Sequence, residues 1–160
     1  MRVFRIEREK YLKATLTGTG ASLSKGFRWN SFNTRLVYTA ESRALAMLEV
    51  SVHLDLSEDL PLDRYFVEID IPDDLLIFEV KIGDLPGDWN AKPPGRTTQL
   101  IGDDFVSQNE AALLKVPSSI VPLEYNYLIN PAHPDSGKLK VISQSPMSFD
   151  SRLKHKKAKK

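Results

Sequence analysis

Between Tyr65 and Ile71 the chain alternates strictly. Tyr65, Val67, Ile69 and Ile71 fall to one side, and Phe66, Glu68 and Asp70 to the other. A period of two is the geometry of a half-buried strand, and Pro72, which cannot donate to a ladder, ends it. Shorter β-favouring runs stand around it: Val3-Phe4-Arg5-Ile6, Leu36-Val37-Tyr38, residues 75–80 and 111–116, and closing strands at 139–142 and Ser148-Phe149. Val116 is held extended by Pro117. Helical signals fall over residues 41–53 and 97–107, without a regular strand–helix–strand rhythm. The pattern predicts a mixed α+β domain.

A chain of 160 residues suits one domain, large enough to bury about 70% of its unfolded surface. Without cysteine it can build neither disulfides nor thiolate metal sites, and no metal is expected. Met1-Arg2-Val3-Phe4-Arg5-Ile6-Glu7-Arg8 carries charges where a signal peptide needs an apolar core. No apolar run approaches the roughly 18–20 residues that span a bilayer. The expectation is a cytoplasmic protein with no membrane partner.

The formal net charge of +1 is unevenly spread. Residues 154–160 hold five of the 22 basic side chains, so residues 1–153 carry 17 basic against 21 acidic groups. A mildly acidic folded part argues against direct nucleic-acid binding by it. The division is a domain over 1–153 and a basic, disordered tail over 154–160. That tail reads as solubilising, or as a weak contact for RNA or an acidic partner.

Gly18-x-Gly20 begins like a dinucleotide fingerprint, but Leu23 stands where the third glycine belongs and no long apolar strand precedes it. A flexible glycine loop is the reading. The turn Gly26-Phe27-Arg28-Trp29-Asn30 then presents an arginine, and Tyr38 ends a strand. Thr39 is placed as the N-cap of the next helix, with Glu41 in its first turn. On that helix Ala44, Leu45, Leu48 and Val52 share an apolar face, with Ser42, Ala46, Glu49 and His53 beside it. Glu49 and His53 are i,i+4 neighbours.

Cation, aromatic and carboxylate within 22 residues are what a site for an anionic, ring-bearing ligand needs. Spacing alone leaves plainer readings open. Glu49 and His53 could be a solvated pair, Arg28 a capping or surface arginine, Trp29 a core anchor, and Ser118 an ordinary turn residue after Pro117. Asn126 and Asn130 read as loop clamps through side chain–backbone hydrogen bonds, and His133 as structural.

The order of these residues carries more than their spacing. The segments Gly26-Phe27-Arg28-Trp29-Asn30, Val37-Tyr38-Thr39-Ala40-Glu41-Ser42 and Leu48-Glu49-Val50-Ser51-Val52-His53 resemble the RES-domain family. So do Val116-Pro117-Ser118-Ser119, the stretch over residues 126–135 and Phe149-Asp150-Ser151-Arg152-Leu153. The family is named for an Arg, a Glu and a Ser, which here look like Arg28, Glu49 and Ser118. The resemblance implies an ADP-ribosyltransferase-like fold, two small packed sheets with a cleft between them. It implies the toxin of a bacterial toxin–antitoxin pair that degrades NAD+. The implied partner is a Xre-like helix-turn-helix antitoxin that closes the cleft, with a homodimer within that complex.

Two departures bear on the site. The family's usual Gly-Gly-Arg-Trp-Asn has Phe27 at its second glycine, a residue that a positive φ would strain. The usual glycine after Asn30 is also missing, and Asn33-Thr34 supplies the residue type that best tolerates a left-handed conformation.

Cleaving NAD+ between nicotinamide and ribose builds oxocarbenium-like charge on the sugar. Glu49 is the carboxylate to stabilise that charge and activate an acceptor. Arg28 would grip the pyrophosphate through its planar fork. Tyr38 would stack on the nicotinamide or fix the ribose, and Ser118 would bond phosphate or ribose. His53 is a candidate to orient Glu49, or else a buried structural histidine, and Asn126 completes the substrate-binding set. NAD+ is then the substrate, and no cofactor is expected. Hydrolysis or phosphorolysis is the leading reaction, ADP-ribosyl transfer to a protein the alternative. A non-catalytic interaction domain that keeps the fold is the reading from another class.

Overall fold

The computed structural model describes residues 1–24, 27–55 and 60–154. Gly26 of the arginine turn, Ser57-Glu58-Asp59 of the polar loop and the tail from His155 lie outside the described residues. In chain order the elements are β1 (Arg2–Arg8), α1 (Thr19–Ser22), β2 (Val37–Ala40), α2 (Arg43–Ser51) and β3 (Arg64–Asp70). They continue as β4 (Ile77–Glu79), α3 (Arg96–Gln108), β5 (Leu113–Pro117), β6 (Tyr125–Ile129) and β7 (Lys140–Met147). The predicted α+β class holds.

The strands form one sheet in the order β4-β5-β6-β2-β1-β3-β7, with β4 parallel to β5 and the other pairs antiparallel. The two small sheets that the resemblance implies are thus one. They join narrowly: β1 and β2 share a single register pair, Phe4 with Ala40. A four-stranded half (β4-β5-β6-β2) and a three-stranded half (β1-β3-β7) meet there.

The alternation of β3 is used as predicted. Val67 and Ile69 enter a core with Val3, Val37, Leu113 and Ile129 on one face of the sheet. On the other face Glu68 is buried, and its carboxylate accepts from Arg2 Nη1 at 2.8 Å and Arg43 Nη2 at 2.9 Å. Two guanidiniums offset the cost of burying that charge. Helices α2 and α3 cover this second face. Leu45 and Ala46 of α2 pack with Ile6 and Ala40, and Phe105 of α3 packs with Leu36, Leu114, Val116 and Leu128. Each large side chain so buried contributes about 1.5–3 kcal/mol.

Three sequence expectations are corrected. Residues 125–129, read as loop around the clamp Asn126, form strand β6. Pairing with both β2 and β5 makes it a strand. Thr39 belongs to β2, and Ser42 caps α2 by accepting from Leu45 N at 3.0 Å. Glu41 is therefore not in the helix's first turn; it exchanges bonds with Tyr125 of β6, accepting from Tyr125 N at 3.0 Å and donating its own N–H at 3.2 Å. Finally, only one of the two closing strands forms, β7, which runs on through Met147, and Ser148-Phe149 lies past its end outside any strand.

Candidate functional site

The site face of the sheet follows from register. Tyr38 lies opposite Leu128, and Ala40 and Val116 both lie opposite Asn126. Side chains that pair across strands share a face, so Tyr38, Val116, Asn126 and Leu128 all point toward the helices. Ser118, just past the end of β5, continues that row.

Against this row α2 presents Glu49. Its Oε1 accepts from Asn126 Nδ2 at 2.6 Å and from Ser118 Oγ at 3.0 Å. Ser118 is itself fixed, since its buried hydroxyl oxygen accepts from Ile120 N and Val121 N, each at 3.1 Å. Both side-chain donors engage one carboxylate oxygen. The helix has turned to allow this. Leu48 is 39% exposed and Val52 51% exposed, although they belong to the predicted apolar face, while Leu45 and Ala46 are buried. Asn126 is thus no loop clamp; it is a strand residue that holds the carboxylate. Asn130 is the clamp its type suggested, donating to Asn109 Oδ1 at 2.8 Å and accepting from Ala132 N at 3.0 Å. His133 is structural too, its Nδ1 accepting from Asp135 N at 3.1 Å.

Arg28 belongs to the same cluster. Burial pulls its pKa down, and the negative charge of Glu49 acts against that shift. Its Nη1 donates to Trp89 O at 2.6 Å and to Ala91 O at 3.2 Å, and Nη2 also reaches Ala91 O at 3.2 Å. The guanidinium lies 6.0 Å from the Trp89 ring. A cation between backbone carbonyls and an indole is held rigidly, with the remaining N–H groups of its fork directed by that hold. Trp29 is the core anchor, buried and 6.2 Å from Trp89 between ring centres.

Tyr38 is where the structure changes the sequence reading most. Its hydroxyl donates to Asn30 Oδ1 at 2.7 Å and accepts from Trp29 N at 3.2 Å. Burial pushes its pKa strongly up, so the phenol stays protonated and keeps that donation. The hydroxyl therefore braces the arginine turn, and its donated proton is already used. Asn30, which closes the arginine-turn motif but is given no role by the sequence, is fully buried and is the other half of the brace. Its Nδ2 reaches Ala21 O at 3.1 Å, Ser31 O at 3.0 Å and Thr34 O at 3.2 Å. Asn33 adopts φ 71°, the left-handed conformation expected of it. The ring of Phe27 lies 4.9 Å from that of Tyr38.

Helix α3 seats the turn from the other side. A Cβ at Gly102 would stand 1.6 Å from Trp29 O, so only glycine admits this approach. Asp103, also missed in the sequence, accepts from Ser31 N at 3.0 Å and Ser31 Oγ at 2.6 Å. His53 is exposed beyond the end of α2, and Glu49 is oriented by Ser118 and Asn126 rather than by it. Two of the readings made of His53, an orienting partner and a buried histidine, are corrected: it is exposed and the helix ends before it. Among the described residues no three His, Cys, Asp or Glu side chains gather into a set that could hold a metal ion. No helix among them is long and apolar enough to cross a membrane.

A carboxylate clamped on one oxygen, within electrostatic reach of an anchored guanidinium, over one face of a mixed sheet, marks the class: an α+β domain with opposite charges gathered under its helices. The comparisons with known proteins give that class a family. Residues 2–150 match the family described as RES domain, and the chain belongs to it. It is 47% identical over 140 residues, 86% of each chain, to a protein of Sphingobium sp. (strain YBL2) named "Prs ADP-ribosylating toxin". It is 38% identical over 154 residues to a protein named "Toxin Res" from Photorhabdus laumondii subsp. laumondii, covering 96% of this chain and 97% of that one. Among solved structures, that titled as the M. tuberculosis MbcT-MbcA toxin-antitoxin complex superposes with a TM-score of 0.73. The match covers 95% of this chain and 85% of that chain at 16% identity, a likeness of fold.

Proposed function

We propose that this protein is the toxin of a toxin–antitoxin pair and that it consumes NAD+ by breaking the bond between nicotinamide and ribose. The observation that carries the reading is the double clamp on Glu49 Oε1 from Ser118 and Asn126, with Arg28 as its electrostatic partner. The clamp leaves Oε2 free for substrate. As the C1′–N bond breaks, its electron pair goes to the nicotinamide nitrogen and positive charge grows on the ribose. The Glu49 carboxylate stabilises that charge and accepts the proton of the oxygen that then bonds C1′. Arg28 holds the pyrophosphate, through the part of its fork that the carbonyls of Trp89 and Ala91 leave free.

NAD+ is the substrate here, and no resident cofactor takes part. Water or inorganic phosphate as acceptor makes the protein a glycohydrolase or a phosphorylase. Nicotinamide release from NAD+ by purified protein, with and without phosphate and beside Glu49→Gln, tests the reading. Glu49-dependent release supports it, and no release from folded, partner-free protein removes it.

A second reading is favoured by the 47% identical relative named for ADP-ribosylation. A protein side chain then takes the acceptor's place, with the same residues in the same roles. Labelled NAD+ separates the two, since label leaves as free ADP-ribose or its phosphate in one case and stays on protein in the other. The supporting relatives and fold neighbour are toxins, so the partner proposed is an antitoxin of the Xre-like helix-turn-helix kind, with toxin dimerisation inside the complex and a cytoplasmic site of action.

A further inference from the structure

Among the described residues, Arg28 donates its hydrogen bonds to main-chain carbonyls and to no carboxylate. Nη1 spends one N–H on Trp89 O at 2.6 Å and the other on Ala91 O at 3.2 Å, and Nη2 spends one on Ala91 O at 3.2 Å. Two of the five N–H groups remain without a partner among the described residues, Nε–H and the second N–H of Nη2. Nη1 is the nitrogen cis to Cδ, so these two lie side by side on one edge of the planar group. That edge is the one that meets two oxygens of a phosphate at once. Carbonyls are neutral, so they orient the guanidinium without cancelling its charge.

The loop that supplies both carbonyls spans residues 86–91 and folds on itself. Trp89 N donates to Pro86 O at 3.0 Å and Ala91 N to Asp88 O at 2.9 Å. Of residues 87–93, Trp89 alone is not exposed. It packs against the buried cluster that holds Trp29, Leu36 and Phe105, with 6.2 Å between its ring centre and that of Trp29. Trp29 follows Arg28 in the chain, and its carbonyl is the one seated on Gly102. One indole therefore fastens the loop to the turn that carries the arginine. At 6.0 Å the indole is at the outer limit of a direct pull on the guanidinium, so its effect runs through the loop.

On the reading that NAD+ is the substrate, we propose that Trp89 is a positioning residue for Arg28. It pins the loop whose carbonyls occupy one side of the guanidinium, and it thereby leaves the Nε–Nη2 edge to receive the substrate's pyrophosphate. With the loop unpinned, the fork is free to reorient, and binding must then order it.

Calorimetric titration of the inactive Glu49→Gln protein with NAD+ tests this in a double-mutant cycle of Trp89→Leu and Arg28→Lys. Trp89→Leu should weaken NAD+ binding about tenfold, the scale of one misdirected charged hydrogen bond. In the Arg28→Lys background, where there is no planar edge to aim, the same substitution should cost less than about twofold. If Trp89→Leu does not fold, Trp89→Phe takes its place in the cycle. A second measurement needs no change at Trp89. In the proton–nitrogen correlation spectrum of the Glu49→Gln protein, the Arg28 Nε–H signal, assigned by its loss in Arg28→Lys, should shift as ADP-ribose is added. Equal losses in the two backgrounds make Trp89 a packing residue and overturn the assignment, as does an Nε–H signal that does not move in the ADP-ribose complex. Either result leaves NAD+ as substrate intact. Failure of the folded parent to bind NAD+ at all overturns the substrate reading, and this inference with it.

Discussion

Glu49→Gln isolates charge from shape. The two donors that hold the side chain, Asn126 Nδ2 at 2.6 Å and Ser118 Oγ at 3.0 Å, both engage Oε1. A glutamine offers a carbonyl oxygen at that place and puts its NH₂ at the Oε2 position, which neither of them uses. The clamp survives, and the cost to folding is within about 1 kcal/mol. The chemistry loses a full negative charge about 3.5 Å from a developing oxocarbenium ion, worth ~4–5 kcal/mol at an effective dielectric near 20. That converts to a fall in turnover of about 10³-fold or more.

Nicotinamide release under saturating NAD+ measures the rate, and thermal unfolding of the same preparation measures the fold. A variant that releases nicotinamide within about tenfold of wild type, with its unfolding midpoint unmoved, would remove Glu49 from the mechanism. A variant that is inactive because it has unfolded would show instead that the clamp is not preserved.

Three further perturbations read other parts of the site. Asn126→Ala removes a charge-assisted bond worth ~1.5–3 kcal/mol, so kcat should fall about 10- to 100-fold with KM nearly constant, and steady-state kinetics that show no change in kcat would make Asn126 structural only. Gly102→Ala drives a methyl into the Trp29 carbonyl, and chemical denaturation should show a loss of ~1–3 kcal/mol or more as α3 lifts from the arginine turn. Asp103 sets a pH dependence. Burial pulls its carboxyl up, but hydrogen bonds from Ser31 and Thr34 and the charge of Arg96 outweigh that and hold its folded pKa below the ordinary range. The resulting stability is full above about pH 4 and is lost as pH falls through the lowered value. Asp103→Asn has no such titration, so the stability gap between wild type and variant should narrow in acid, and a constant gap from pH 6 to 3 would refute the assignment.

Signals carried within one element were legible. The alternation of β3 and the helical pattern of α3 each needed no partner to be read, and both elements stand where expected. Motif order also set Glu49 and Ser118 in one group, and the two meet at 3.0 Å across 69 residues. What partners decide was not legible. Tyr38 has the composition of a ligand platform, but a buried phenol must satisfy its hydroxyl, and Asn30 lies ready to accept it. Asn126 has the composition of a loop residue, yet its place in β6 follows from strands on both sides.

The face of α2 shows how such a misreading can itself become a signal. By periodicity Leu48 and Val52 should point inward with Leu45, and leaving Leu48, and Val52 just past the helix end, exposed forgoes part of the burial energy this segment has to offer. The helix adopts that orientation with Glu49 brought to Ser118 and Asn126, so the carboxylate's two hydrogen bonds accompany the outward turn of the apolar residues. A fold governed by packing alone would have set Glu49 at the margin and left the pair of leucine and valine covered. Natural sequences break their own local rules chiefly at functional positions. In α2 the predicted stripe is split, with Leu45 in the core and Leu48 toward solvent, and that helix carries the candidate catalytic carboxylate, which is the relation expected if the site shares with the core in fixing its rotation.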